Sequence, residues 1–294
     1  MLDEFKNAFQ RHNNAHIQLI IINVVVFLTI VVFYVLSSLT GLESLFGYVQ
    51  KVFLIPPRLS DFLSRPWTIL TYAFAHDWTG VWHILGNMLV LYWFGKLFIE
   101  YLGNDKLIAV YILGAIAGAV LYLIMFNTIP FYINKSGFPG MLGASAAVFA
   151  VMVAVSTLLP DYTFFLLFLG PVRIKYIALF YIIVSFIGSV GPNEGGNIAH
   201  LGGAFIGYVY TKQLQAGVNW GGWITSTLDW IRGLFSPSPK VKITYRKAEP
   251  KKPGTNFNKA TQEEIDVILD KISDRGYESL TKEEKEKLFN ASKK

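Results

Sequence analysis

The chain has 294 residues, of which 53% are apolar and only 16% are charged, against roughly 25% charged in an ordinary soluble domain. Ten of its 26 Lys and Arg and nine of its 20 Asp and Glu lie within residues 1–211, so the net +6 divides into +1 for that body and +5 for the remaining tail. A soluble single-domain protein is excluded, and the absence of cysteine also excludes disulfides, thiolate metal sites and a cysteine nucleophile.

A membrane-spanning helix needs about 20 mainly apolar residues. Residues 17–39 meet this without a charge, interrupted only by the strongly polar Gln18 and Asn23. The stretch is too long for a signal-peptide core and lacks a small-residue cleavage site, so it reads as a retained helix. Five further candidates follow at 82–99, 107–126, 142–159, 174–190 and 198–210. The expected fold is an all-α polytopic membrane protein with six transmembrane helices. Basic residues in the connections place both termini on the cytoplasmic side and the loop 40–81 outside. That loop is rich in Pro and Trp, as suits a structure lying in the membrane interface.

The domain order is a cytoplasmic N-terminus (1–16), a membrane domain (17–211), a linker (212–260) and a cytoplasmic two-helix module (261–294). In that module Thr261–Glu264 and Thr281–Glu284 read as capping boxes. Ile265, Ile268, Leu269 and Ile272 fall on one helical face, which ends near Gly276. The module is either a site for a cytoplasmic partner or a solvated tail.

Polar residues inside an apolar body are costly and become functional candidates. His83 and Asn87 stand i, i+4 near the outer end of the second span and share a face. Ser145, in Gly143-Ala-Ser145, and His200 sit just inside the outer ends of the fourth and sixth spans. Four polar residues from three helices thus reach one shallow depth. Small-residue stripes, Ala146/Ala150/Ala154 and Ala199/Gly203/Gly207, bring the fourth and sixth spans together, with Gly114 and Gly118 on the third. That contact brings His200 to Ser145. Ser145 is then the candidate nucleophile and His200 its general base. His83, Asn87 and the Ser145 amide are the candidate oxyanion donors. No acid accompanies them, since Asp61, Asp77 and Glu194 read as loop residues, so a Ser–His dyad is expected. A lone serine in a membrane helix usually bonds its own i−4 carbonyl, and Ser156 and Ser185 are read so. His76 is read as structural. His83-Ile-Leu-Gly-Asn87 lacks the Glu of a helical zinc-protease motif, so no metal is expected, nor any cofactor.

At these residues the sequence resembles the rhomboid family of intramembrane serine proteases. The matching motifs are His83-x-x-x-Asn87, Gly143-x-Ser145 and Ala199-His200-x-x-Gly203-x-x-x-Gly207, with Pro66-Trp67, Phe74-x-His76 and Glu100-x-x-x-Asn104 around the second span. The resemblance covers about residues 60–211. It implies a rhomboid-like six-helix bundle with a small helical tail, and a water-filled cavity over Ser145. Asn197 is implied as a supporting residue. The implied substrates are single-span membrane proteins within the lipid bilayer, reached past the fifth span. No nucleic acid is expected. The implied location is a bacterial inner (cell) membrane, with the site opening outward. The chain departs from the family pattern at Ala146, where Gly is frequent, at Phe149, where Tyr stacks on the catalytic His, and at Thr68, where Arg follows the loop Trp. None removes a reacting atom. The alternative is a non-proteolytic relative that binds membrane helices in quality control.

Overall fold

The structure, a computed structural model, describes residues 13–134, 140–235 and 262–291. His12, Thr261 with its capping box, and most of the expected linker lie outside them. Two compact units divide near residue 238.

The described residues of the first unit are mainly helical, with one strand hairpin. Helix α1 (Ala15–Thr40) stops at Gly41, whose φ of +71° suits a helix C-terminus. The loop 40–81 carries α2 (Glu43–Phe53) and single turns at Leu59–Leu63 and Thr68–Thr71. Helices α3 (Val81–Leu102), α4 (Asn104–Thr128) and α5 (Ser145–Leu158) follow, then β1 (Thr163–Leu166) and β2 (Gly170–Arg173), then α6 (Ile174–Gly188), α7 (Glu194–Gln215) and α8 (Gly222–Phe235). Every segment expected to span is therefore helical. By length and composition, α1 and α4 are able to cross a membrane, while α5 and α6 are shorter apolar helices.

Two expectations need correction. The unit is not purely α-helical, because β1 and β2 pair antiparallel, Thr163 opposite Arg173 and Leu166 opposite Gly170. The continuous apolar run here hides the period of two that marks a strand. Asp161 pins the hairpin base through Lys175 at 2.7 Å and Arg173 at 3.1 Å. These cations hold its carboxyl below the usual range. The stretch 212–260 is also more than a linker. It completes α7 and contains α8, which lays Ile224 and Leu228 against the core.

The centre is a three-helix contact among α4, α5 and α7, made by residues too small to hold helices apart. A Cβ on Gly203 would fall on the Ala146 carbonyl oxygen, and one on Gly207 on that of Ala150. A Cβ on Gly118 would stand 2.6 Å from the Ala146 Cβ, and one on Gly202 2.6 Å from the Ala117 oxygen. Neither gap admits a side chain. In lipid, where apolar burial gives little net drive between helices, such close approach supplies the dispersion contact that holds them.

Buried polar groups tie the periphery to this centre. Asn23 is fully buried on α1; its amide donates to Leu19 O at 2.8 Å and to the Tyr111 hydroxyl at 3.1 Å. Tyr111 in turn donates to Ala73 O at 2.9 Å. Tyr72 donates to Ala115 O on α4 at 2.7 Å, and its own carbonyl accepts from Gly143 N–H at 3.0 Å. A backbone with no water nearby needs such internal partners. The segment before α5 is thus strapped to α4.

The second unit pairs α9 (Gln262–Arg275) with α10 (Lys282–Ala291) over Ile268 and Leu280. Leu269, which shares the apolar helical face with Ile268, is exposed. The Thr281–Glu284 capping box is formed, with Thr281 N–H donating to Glu284 Oε2 at 2.7 Å and Glu284 N–H to Thr281 Oγ at 3.3 Å. Lys271 bonds the same carboxylate at 2.8 Å. It is the main cause that holds Glu284 at about 2.

Two outcomes follow. Gly203→Ala forces α5 and α7 apart and costs about 1–3 kcal/mol, read as a lowered Tm in detergent; an unchanged Tm contradicts the close contact. Because the folded Glu284 pKa lies below its ordinary 4.5, its stabilisation of the tail is full above that value and fades as pH falls towards about 2. Glu284→Gln speeds hydrogen exchange across α10 at neutral pH, and the difference from wild type narrows in acid.

Candidate active site

Ser145 opens α5 because Met141 and Gly143, shortly before it, are held out of helical geometry. Met141 bridges to Ile55, and Gly143 has a φ of +139°, a conformation that L side chains rarely adopt. Gly143 also leaves space. A Cβ there would lie 3.3 Å from His83 Cε1 and 3.4 Å from both His83 Nε2 and Ser145 Oγ. The imidazole of α3 and the hydroxyl of α5 therefore border the same small void. As the first residue of a helix, Ser145 has a backbone N–H without an intrahelical partner.

His83 enters from the first turn of α3. Asn87, one turn on, donates its amide to the His83 carbonyl at 2.9 Å. His200 comes from α7, and its ring stacks on Phe149 with centroids 4.1 Å apart and planes 14° from parallel. Phe149 follows Ser145 by four residues on the same face of α5. Asn197, one turn before His200, donates to Gly188 O and Asn193 O, each at 2.9 Å. A cavity of about 370 Å³ is bordered by His83, Asn87, Ser145, Phe149, Asn197 and His200. A second, apolar cavity of about 630 Å³ lies between α3, the hairpin and α6, and shares Val90 and Tyr181 with the first. Among the described residues Ser145 makes no hydrogen bond to His200; such bonds often tighten only when substrate is bound.

Two residues, Ser185 and Glu194, differ from expectation. Ser156 does bond its i−4 carbonyl, Met152 O, at 2.8 Å. Ser185 instead meets His200 Nδ1 at 3.0 Å. The available signal was spacing: Ser185 and Gly188 are three apart on α6, Asn197 and His200 three apart on α7, and antiparallel packing pairs them crosswise. Glu194 is the first residue of α7 and buried, not a loop residue, yet it does not border the cavity. His76 is fully buried, edge-on to His83 with centroids 5.3 Å apart. Burial first, and the neighbouring His83 second, push it down to about 3, so it is neutral at physiological pH. No cluster of three His, Asp or Glu able to hold a metal occurs among the described residues.

The Rhomboid domain family matches residues 63–216, more than half of the chain and all of the residues bordering the cavity. The chain belongs to the rhomboid family. A family of unknown function (DUF6576) matches residues 255–294. Among curated relatives, the RHOMBOID-like protein 12, mitochondrial, of Arabidopsis thaliana is 35% identical over 170 residues, covering 54% of this chain and 50% of that protein. Rhomboid protein 1, mitochondrial, of Saccharomyces cerevisiae is 30% identical over 182 residues, covering 59% and 48%. The chain spans about half the length of each. Both names give a mitochondrial location, which overturns the expected bacterial inner membrane. Loop charge sets sidedness and carries no information on which membrane is crossed.

Gly143→Ala strains the backbone and pushes on the His83 ring and the Ser145 hydroxyl. It destabilises the protein by about 1–3 kcal/mol and shifts the His83 imidazole NMR signals. Signals identical to wild type contradict the shared void.

Proposed function

We propose that the protein is an intramembrane serine endopeptidase with six membrane-crossing helices, acting on single-span membrane proteins in or near their membrane segment. The rhomboid domain implies membrane-protein substrates in a lipid bilayer. One observation carries the rest: Ser145, His200, His83 and Asn87, from three helices, border one cavity.

Each residue then has a role. Ser145 Oγ attacks the scissile carbonyl carbon while His200 Nε2 takes the hydroxyl proton. The carbonyl oxygen becomes an oxyanion facing His83, the Asn87 amide and the Ser145 N–H. Asn87 spends one of its two amide N–H groups on the His83 carbonyl and has the other to contribute. Collapse of the intermediate breaks the C–N bond, and the amine leaves with the proton held by His200. Water, deprotonated by the same histidine, then releases the acyl group. Phe149 keeps the imidazole plane in place, and Asn197 holds the adjoining turn of α7 to α6. The apolar cavity that shares Val90 and Tyr181 with the polar one supports access for an apolar segment between α3 and α6.

A non-proteolytic helix-binding role is the second reading, favoured by the missing Ser145–His200 hydrogen bond. One experiment separates the two. Reconstituted wild-type protein cleaves a single-span substrate and its Ser145 is labelled by a fluorophosphonate. Ser145→Ala loses both, and His200→Ala loses at least about a thousandfold in rate. Cleavage by Ser145→Ala at the wild-type rate contradicts the proposal. Folded wild-type protein that neither cleaves nor labels supports helix binding.

A further inference from the structure

We propose that Ser185 is a positioning residue for His200: its hydroxyl accepts a hydrogen bond from Nδ1–H and thereby keeps Nε2 free as the base. The inference rests on the protease reading above and deepens it.

A neutral imidazole carries one proton, and the bond made by one nitrogen sets the state of the other. A base acting through Nε2 must hold its proton on Nδ1. In a triad an Asp accepts that N–H. Here, among the described residues, no acidic side chain borders the cavity, and Ser185 Oγ stands 3.0 Å from Nδ1. A hydroxyl accepts as well as donates, and a buried N–H needs an acceptor. Phe149 fixes the plane of the ring, and a bond at Nδ1 fixes its rotation within that plane.

The contact is built in, because α6 and α7 meet crosswise at two rungs. Asn197 donates to Gly188 O at 2.9 Å, and His200 meets Ser185 three residues further along each helix. The first rung requires glycine, since a Cβ on Gly188 would stand 2.6 Å from Asn197 Nδ2. Past Ala178, Ser185 is the only buried side chain of α6. The helix otherwise turns outward there, so the hydroxyl is presented by the side chain that α6 keeps inside. When His200 takes the Ser145 proton, the imidazolium still donates through Nδ1–H. A neutral acceptor steadies it less than a carboxylate does, but a lone carboxylate at this depth carries a large desolvation cost.

The test compares Ser185→Ala, Ser185→Thr and Ser185→Val in the full chain, with ¹⁵N-labelled histidine read by NMR and cleavage kinetics read beside it. Wild type shows His200 protonated at Nδ1. Thr keeps the hydroxyl, the tautomer and kcat. Val has nearly the shape of Thr without the hydroxyl; it shifts the ring towards Nε2–H and lowers kcat roughly tenfold, the worth of one hydrogen bond, with KM unchanged. Ala behaves as Val. A wild-type ring protonated at Nε2 overturns the proposal, as does a Val variant that matches Thr in both readouts. If wild type shows no Ser145-dependent cleavage, the protease reading fails instead, and the tautomer still reports on the contact itself.

Discussion

The structure depends on how closely three helices approach. Gly203 and Gly207 lie on the carbonyls of Ala146 and Ala150, and Gly118 lies against the Ala146 side chain. Ala146 follows the candidate nucleophile directly, and Gly203 follows the candidate base by three residues. The contact that gives the bundle its centre is therefore the contact that sets the distance between Ser145 and His200. Helices held apart by ordinary side chains would leave each residue a solitary polar group in an apolar medium, costly and without a partner.

The other restraints refine that distance. Tyr72 bonds α4 through its hydroxyl and Gly143 through its carbonyl, so a loop residue transmits the position of the core to the segment before Ser145. Phe149 places the His200 ring plane. The rungs at Gly188 and Ser185 hold one flank of α7 to α6. Every one of these is a neutral contact. The site is assembled from hydroxyls, amides, imidazoles and backbone, which need no counter-ion when removed from water.

Much of this was legible in the sequence because lipid makes exceptions conspicuous. His83, Asn87, Ser145 and His200 stand out in apolar runs, and the Ala and Gly stripes recur at four-residue spacing. What stayed hidden was what spacing does not encode. Ser185 has the appearance of any membrane serine, and only the crosswise register of α6 on α7 separates it from Ser156. The hairpin at Thr163–Arg173 lies in an apolar run with no alternation to read. Helix α8 follows a Gly-rich break, where the eye expects linker. Asn23, an unexplained amide in the first span, is explained only by Tyr111, 88 positions further on.

The central claim is that these residues form one reacting constellation. It is tested most directly by a structure of the protein treated with a peptidyl phosphonate. The account predicts phosphorus bonded to Ser145 Oγ, His200 Nε2 within hydrogen-bond reach, and the phosphoryl oxygen turned towards His83, Asn87 and the Ser145 amide. An unmodified Ser145 in folded protein, or an adduct whose oxygen faces away from those three groups, would contradict it.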